Sequence, residues 1–232
     1  MTRNLIITGG IFHPFEDTSA ALSAQLSPLG VVSTVSSDIE EALAELDRYD
    51  LLTVNCLRWR MIQAERHAPY RDEWAMELSA SARDAVSRFV REGGALLGLH
   101  TAGLCFDTWP EWQTLLGATW DWDRSYHPPL GDVEVEVRTD AHPIVAGLAD
   151  FDTQDEVFHH LTSADDAESL LFAELDDGRQ PLLWARQVGK GRAVYDALGH
   201  SPRSIEHPVH ARILRRAALW ALGRPDAEVA AA

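Results

Sequence analysis

The sequence predicts one α/β domain, a three-layer sandwich in which helices cover both faces of a mainly parallel sheet. In the first half of the chain, short apolar runs alternate with segments of helical periodicity, which is the pattern of right-handed βαβ crossovers. In the second half, Val133 to Val137 alternates strictly between apolar and acidic residues. This pattern indicates a half-exposed strand, and therefore some antiparallel strands. We expect residues 1–224 to form this single domain and residues 225–232 to be a frayed, disordered tail.

The predicted elements follow the chain in order. Strands are expected at 4–8, 31–35, 51–54, 95–99, 133–137, 170–173, 182–186 and 192–198. Helices are expected at 18–26, 39–46, 81–91 and 209–222. Residues 56–78 show no clean period and are rich in arginine, histidine and aromatic residues, which favours a functional loop.

Composition excludes several classes of partner. The chain of 232 residues has a formal net charge of -16, which repels nucleic-acid phosphates and anionic lipids, so we expect neither nucleic acid nor a membrane as partner. Two cysteines cannot build a disulfide framework, and the first apolar run is too short for a signal peptide. We therefore expect a cytoplasmic protein with a small-molecule partner. Whether copies associate into a homo-oligomer stays open.

The stretch from Gly98 to Ala102 follows the predicted strand 95–99 and has the Gly-x-X-x-small pattern of a sharp strand-to-helix turn. In hydrolases and amidotransferases with this turn, the middle residue is a nucleophilic Ser or Cys, whereas here it is His100. An imidazole in this position can transfer protons near neutral pH or bind a metal. Ligand sites of parallel sheets lie beyond the carboxyl ends of the strands, so His100 and His13 are expected to face one cleft.

The runs GGALLGLHTA, HPIVAGL, DEV, PLLWAR, GKGRAVYDALGH and LRRAALWALG, in this order, resemble the ThuA-like (trehalose utilisation) family over nearly the whole chain. The resemblance implies a flavodoxin-like fold related to the class I glutamine amidotransferases. It places His100 where those enzymes have the elbow Cys, and His200 where they have the catalytic His. Ser201, Pro202 and Arg203 follow His200, so no carboxylate is there to orient it, and we expect no glutaminase activity.

The family resemblance implies a role in the catabolism of trehalose or a related disaccharide. Histidines and carboxylates without a strong nucleophile fit proton transfer next to a carbonyl, that is, isomerisation, elimination or hydrolysis of a keto-sugar. We assign His100 and His200 as acid and base, and Glu156, in the DE pair of the family, as an orienting group or second base. A non-catalytic sugar-binding or metal-binding regulatory protein would use the same residue types and remains the alternative.

Four residues are predicted substrate contacts: His13, Trp59, His127 and Asp155. The first two are predicted from their segments beside the expected cleft, and the last two because the family resemblance implies them, with an exposed loop position as the alternative for His127. The flat face of Trp59 suits the apolar face of a sugar ring. His13, His100 and His200, with a carboxylate, also suit a divalent transition metal such as zinc or manganese. Because no close spacing such as HxxxH joins these histidines, the sequence leaves the metal as an alternative to direct acid–base chemistry.

Other polar residues receive structural interpretations. His142 precedes Pro143 and is expected to bond to the backbone in a turn. Cys105 is expected to be a core residue. Arg58 and Arg60 are expected to hold either an anionic group of a ligand or acidic side chains of the chain itself.

Overall fold

The computed structural model describes residues 1–140 and 142–232. Its strands are β1 (Thr2–Gly9), β2 (Val31–Ser36), β3 (Leu51–Cys56), β4 (Ala95–Leu99), β5 (Ala118–Thr119), β6 (Gly131–Val137), β7 (Phe151–Asp155), β8 (Thr162–Ser163), β9 (Glu168–Leu175), β10 (Gly178–Val188) and β11 (Gly191–Asp196). Nine of them form one sheet in the order β2-β1-β3-β4-β11-β10-β9-β6-β7, and β5 pairs with β8. No helix in the described part of the chain has the length and apolar character needed to span a membrane.

The helices lie on both faces of this sheet. They are α1 (Phe15–Leu26), α2 (Ile39–Ala44), α3 (Arg71–Trp74), α4 (Ala80–Glu92), α5 (Glu111–Leu116), α6 (Pro202–Ile205), α7 (Pro208–Ala221) and α8 (Asp226–Ala231). Side chains alternate along each strand, so Ile6 packs in a core with α1 and α7, whereas Leu5 and Ile7 pack in a second core with α2, α4 and α5. The predicted α/β fold with a mainly parallel sheet and added antiparallel strands is confirmed.

The two halves of the sheet differ in strand direction. β2, β1, β3, β4 and β11 run parallel to one another. From β11 onwards, each strand pairs antiparallel with its neighbour through β10, β9, β6 and β7. β3 and β4 are buried at every residue, as expected for central parallel strands covered on both faces. The carboxyl ends of the parallel strands therefore form one edge, and the segments that follow β1, β3, β4 and β11 meet there.

The structure corrects two parts of the prediction. The tail is not frayed: α8 packs against α7, Val229 is fully buried, and the Arg216 guanidinium donates to the Ala230 carbonyl. No periodicity in eight terminal residues predicts this contact, because the partner surface belongs to another helix. The prediction also lacked three short strands, β5, β7 and β8, of which β7 lies at the edge of the large sheet beside β6.

The turn after β4 has the sharp geometry that its sequence predicts. His100 immediately follows the strand with φ of 45°, a left-handed conformation that is uncommon for a residue with a β-carbon. A 3₁₀ turn continues from 100 to 104. At Gly103 a β-carbon would lie 2.5 Å from the Tyr195 hydroxyl, which donates to the His100 carbonyl at 2.8 Å. The close approach of Tyr195 thus requires glycine and fixes the backbone at the elbow.

Candidate functional site

Four side chains from four separate segments converge at the carboxyl edge of the sheet. One oxygen of Glu156, Oε2, lies 3.7 Å from His13 Nε2, 3.7 Å from His100 Nε2 and 3.4 Å from His200 Nδ1. All four atoms lie within 4.8 Å of one another. The structure therefore brings together the three histidines and the glutamate that the sequence places on different elements.

The elbow and the end of β11 orient His100. Its Nδ1 lies 2.7 Å from the Ala197 carbonyl, and its ring stacks on Phe158 with ring centroids 4.6 Å apart. A carbonyl oxygen only accepts hydrogen bonds, so Nδ1 carries the proton and the neutral ring presents a lone pair at Nε2. His13 is held the same way, with Nδ1 3.2 Å from the Ile11 carbonyl. Both histidines therefore direct a lone pair at Glu156.

Hydrogen bonds to Asp155 fix the backbone beside the cluster. Its carboxylate accepts the backbone N–H of Glu156 at 2.8 Å, of Gly199 at 2.7 Å and of His200 at 3.2 Å. The residue is 1 % exposed and is not among those that line the cavity beside the site. We predicted a substrate contact here, but the structure makes Asp155 a positioning residue, because its oxygens are already used by backbone donors.

The charges of the cluster depend on one another. Burial would raise the pKa of the Glu156 carboxyl, but N–H donation from the imidazoles of His100, His13 and His200, when their inward nitrogens are protonated, outweighs burial and holds that pKa well below its usual range. The adjacent Glu156 carboxylate raises the pKa of His200 despite partial burial. Burial lowers the pKa of His13 even though Glu156 is close. In the metal-free protein near neutral pH, the favoured state is an ionised Glu156 with a neutral His13.

The cluster has the composition and spacing of a metal site. The inward nitrogens of His13, His100 and His200 are buried and, among the residues that the structure describes, have no hydrogen-bond partner. Ligand atoms about 2.0–2.2 Å from one ion in tetrahedral geometry lie roughly 3.3–3.6 Å apart, close to the contacts that these nitrogens make with Glu156. The imidazole lone pairs and the Glu156 carboxylate repel one another. A cation between them would remove this repulsion. The carbonyl oxygens at the outer nitrogens of His13 and His100 resemble the partners that fix histidine ligands in metal proteins.

A cavity of about 520 Å³ opens beside the cluster. Its lining residues are Phe12, His13, Leu57, Trp59, Arg66, His67, Tyr70, Thr101, Leu104, Trp120, Trp122, His127, Glu156 and Phe158. The predicted cleft residues His13, Trp59 and His127 are all on this wall. His127 Nδ1 lies 3.5 Å from Glu156 Oε2, and its side chain is 39 % exposed. His127 thus faces both the cluster and the open cavity.

Several wall residues were not predicted individually. Phe12 lies in a loop, and Arg66, His67 and Tyr70 lie in a 3₁₀ turn at 65–70, where no sequence period shows which side chains point inward. The composition of residues 56–78 is rich in arginine, histidine and aromatic residues. It predicted that this segment is functional, but it did not predict which of its residues line the cavity. Phe158 follows the unpredicted β7, so its stacking on His100 had no sequence signal.

The contacts in the structure show the roles of the other polar residues that were interpreted from the sequence. Arg58 donates to the carbonyls of Glu73 and Trp74, and Arg60 pairs with Asp107, so both hold the chain itself. His142 Nδ1 accepts the Ile144 N–H, the backbone bond that we expected. Cys105 is 3 % exposed and lies in the core.

Comparison with protein families and solved structures gives one consistent result. The family model ThuA, described as trehalose utilisation, matches residues 4–221. No curated protein matches the chain. A ThuA-like protein from Parabacteroides merdae has a similar structure, with a TM-score of 0.75, 18% identity, and coverage of 96% of this chain and 91% of that one.

Two further structures share the fold. A ThuA-like protein from Bacteroides uniformis has a TM-score of 0.70 and 18% identity, covering 95% of this chain and 91% of that one. A protein from Salmonella typhimurium, described as cytoplasmic, has a TM-score of 0.63 and 13% identity, covering 95% of this chain and 97% of that one. At these identities the likeness establishes the fold alone.

The charge coupling gives a test by NMR titration of the imidazoles in chelator-treated protein. His200 should titrate above the usual value of about 6.5 and His13 below it. Glu156→Gln should lower the pKa of His200, because the attracting charge is lost. Because the pKa of His200 is raised in the folded state, the stability from its pairing with Glu156 is present below pH ~6.5 and is lost as pH rises through that folded-state pKa.

His142 serves as the internal control. Burial lowers its pKa to about 4, and this value should be the same in wild type and in Glu156→Gln. An unchanged pKa of His200 in the variant would contradict the coupling.

Proposed function

The chain belongs to the ThuA family of trehalose utilisation, and from this premise we propose that it is a metal-dependent enzyme acting on a keto-sugar derived from a disaccharide. One observation carries the metal: three buried imidazole nitrogens without partners surround one carboxylate oxygen. The ligands would be His13, His100, Glu156 and His200. Three nitrogens and one oxygen suit zinc or manganese. We place the protein in the cytoplasm, the location expected from its composition and also the one named in the description of the structurally similar protein from Salmonella typhimurium.

A divalent ion held by these four residues would supply Lewis-acid polarisation of a sugar carbonyl, which would make the neighbouring C–H more acidic. Proton transfer then requires a group that is not a ligand. His127 meets this requirement, because its Nδ1 lies 3.0 Å from the Pro128 carbonyl and the neutral ring then has a lone pair at Nε2. Its exposure to the cavity lets it accept a proton from a bound sugar and return it for isomerisation, or release it during elimination or hydrolysis.

A second candidate uses the same residues without metal. His100 and His200 would then act as acid and base, with Glu156 orienting them. The raised pKa of His200 beside Glu156 favours this candidate, because it increases the fraction of His200 that is protonated at a given pH. The two mechanisms exclude each other, because a nitrogen bound to a metal cannot carry a proton.

Metal content separates the candidates. Protein prepared without chelators should contain zinc, manganese or a similar ion by elemental analysis. At free metal 100-fold above its Kd, the gain in folding free energy is about 2.7 kcal/mol, or roughly 5–11 °C in Tm for a chain of this size. His13→Ala and Glu156→Gln should weaken metal binding by at least about 100-fold, more than is typical for loss of an outer partner.

His127→Ala is the matched control, since His127 lies as close to Glu156 as the proposed ligands do but belongs to the cavity wall. It should retain the metal. Metal-free wild-type protein whose Tm does not respond to divalent ions would refute the metal and favour the second candidate.

Turnover tests the reaction. Metal-loaded protein should consume a 3-keto-disaccharide and leave the corresponding disaccharide alcohol unchanged, because only the ketone acidifies a neighbouring C–H. Chelation should abolish consumption, and His127→Ala should lower kcat roughly 100-fold or more with the metal retained. His100→Ala should lose both metal and turnover. Sugar binding without any consumption would identify a regulatory protein instead.

A further inference from the structure

The segment from 57 to 79 carries four arginines, and three of them hold the protein itself. Arg58 and Arg60 make the contacts described above. Arg71 donates to the carbonyls of Met61 and Ala64. Within the described residues, Arg66 makes no ion pair, and its one hydrogen bond runs from Nε to His67 Nε2 at 3.3 Å. Arg66 lines the cavity, so it is the arginine of this segment whose charge is not used by the fold.

His67 adds a second donor beside Arg66. Because the guanidinium can only donate, His67 Nε2 must accept, and the neutral ring carries its proton on Nδ1. The imidazole is 4 % exposed, and its Nδ1 has no hydrogen-bond partner. Burial, together with the nearby Arg66 and Arg71, lowers the pKa of His67, which favours this neutral form. This end of the cavity therefore carries the Arg66 guanidinium and, beside it, the buried N–H of His67.

Aromatic rings connect the two ends of the cavity. His67 contacts Trp59 with ring centroids 5.2 Å apart, Trp59 stacks on Trp122 at 6.0 Å, and Trp122 is 6.1 Å from Trp120. Trp120 then contacts Phe158 at 5.4 Å, and Phe158 stacks on His100. The Arg66 end and the cluster thus share one cavity with aromatic walls, so one bound ligand can contact both.

From this arrangement we infer that the cavity takes a sugar with an anionic group, held by Arg66 and His67 while the opposite end of the sugar lies at the histidine–glutamate cluster. The inference rests on the proposed function, because it takes the cavity as the sugar site, and it adds the substrate class. A carboxylate or a phosphate accepts the forked guanidinium donors of arginine with matching geometry. The chain has a net charge of -16, so an anion is held only where a local cation outweighs the surrounding field.

Isothermal titration calorimetry on zinc-loaded, dialysed protein tests this inference with matched neutral and anionic probes. Lactose is compared with lactobionate for a carboxylate, and trehalose with trehalose 6-phosphate for a phosphate. At least one anionic sugar should bind about 10-fold or more tightly than its neutral partner, the usual effect of a charge-assisted hydrogen bond. The pair of sugars that shows the preference identifies the anionic group as a carboxylate or a phosphate.

Arg66→Gln should remove this preference and leave the affinity for the neutral sugar within about 3-fold, since the guanidinium contacts only the anionic group. Arg124→Gln is the matched control: it removes the same charge from a residue that is paired with Asp121 and does not line the cavity. It should keep the preference. His67→Phe, which preserves the ring against Trp59, should reduce the preference in part.

Equal affinities for the neutral and anionic sugars in wild type would overturn the inference. A preference that persists in Arg66→Gln would also overturn it, because the anion would then be held elsewhere, for example at the metal cluster. Repeating the titrations on chelator-treated protein separates this inference from the proposed function. An Arg66-dependent preference in chelator-treated protein would support the anionic substrate independently of the metal, whereas the metal-dependent enzyme fails if the wild-type protein binds no metal in the assays above.

Discussion

The rest of the site depends on the hydrogen bonds that the buried carboxylate of Asp155 accepts. An ionised carboxylate away from water is costly unless donors surround it, and here three backbone N–H groups do so. Two of these belong to Gly199 and His200, after β11, and the third to Glu156, after β7. One side chain thus joins the two segments that carry half of the cluster.

The other half of the cluster is fixed by backbone carbonyls. Ala197, in the segment that Asp155 holds, accepts from His100, and Ile11 accepts from His13. Asp196 also stabilises this segment, because its carboxylate accepts the Leu198 N–H and contacts the buried His210. The neutral rings of His100 and His13 therefore carry their proton on Nδ1 and direct a lone pair at Glu156. In the proposed metal site, a divalent ion would lie between these lone pairs and the carboxylate.

The sequence predicts the parallel half of the sheet well because its signals are local. The apolar run 95–99 is bounded by glycines and by the elbow, and the structure has β4 over the same residues. His13 and His100 could be placed at one edge because the topology of parallel strands requires it. The DE pair and His200 came from the family resemblance, and only the fold shows that they meet.

What the sequence does not predict depends on contacts between distant segments. The far wall of the cavity lies on a segment without periodicity, which Arg58, Arg60 and Arg71 tie to carbonyls and to Asp107. Phe158 acquires its position from β7, an edge strand whose FDTQD sequence has little apolar content. The ligand set itself shows no motif, because its members come from four segments of the chain.

Anomalous diffraction from crystals of the zinc-loaded protein, recorded on both sides of the zinc absorption edge, tests the metal centre most directly. The account predicts an anomalous difference peak among His13 Nε2, His100 Nε2, His200 Nδ1 and Glu156 Oε2, about 2.0–2.2 Å from each atom. It also predicts that the peak is absent from crystals of Glu156→Gln prepared in the same way. Zinc-loaded wild-type crystals with no peak among these four atoms would contradict it.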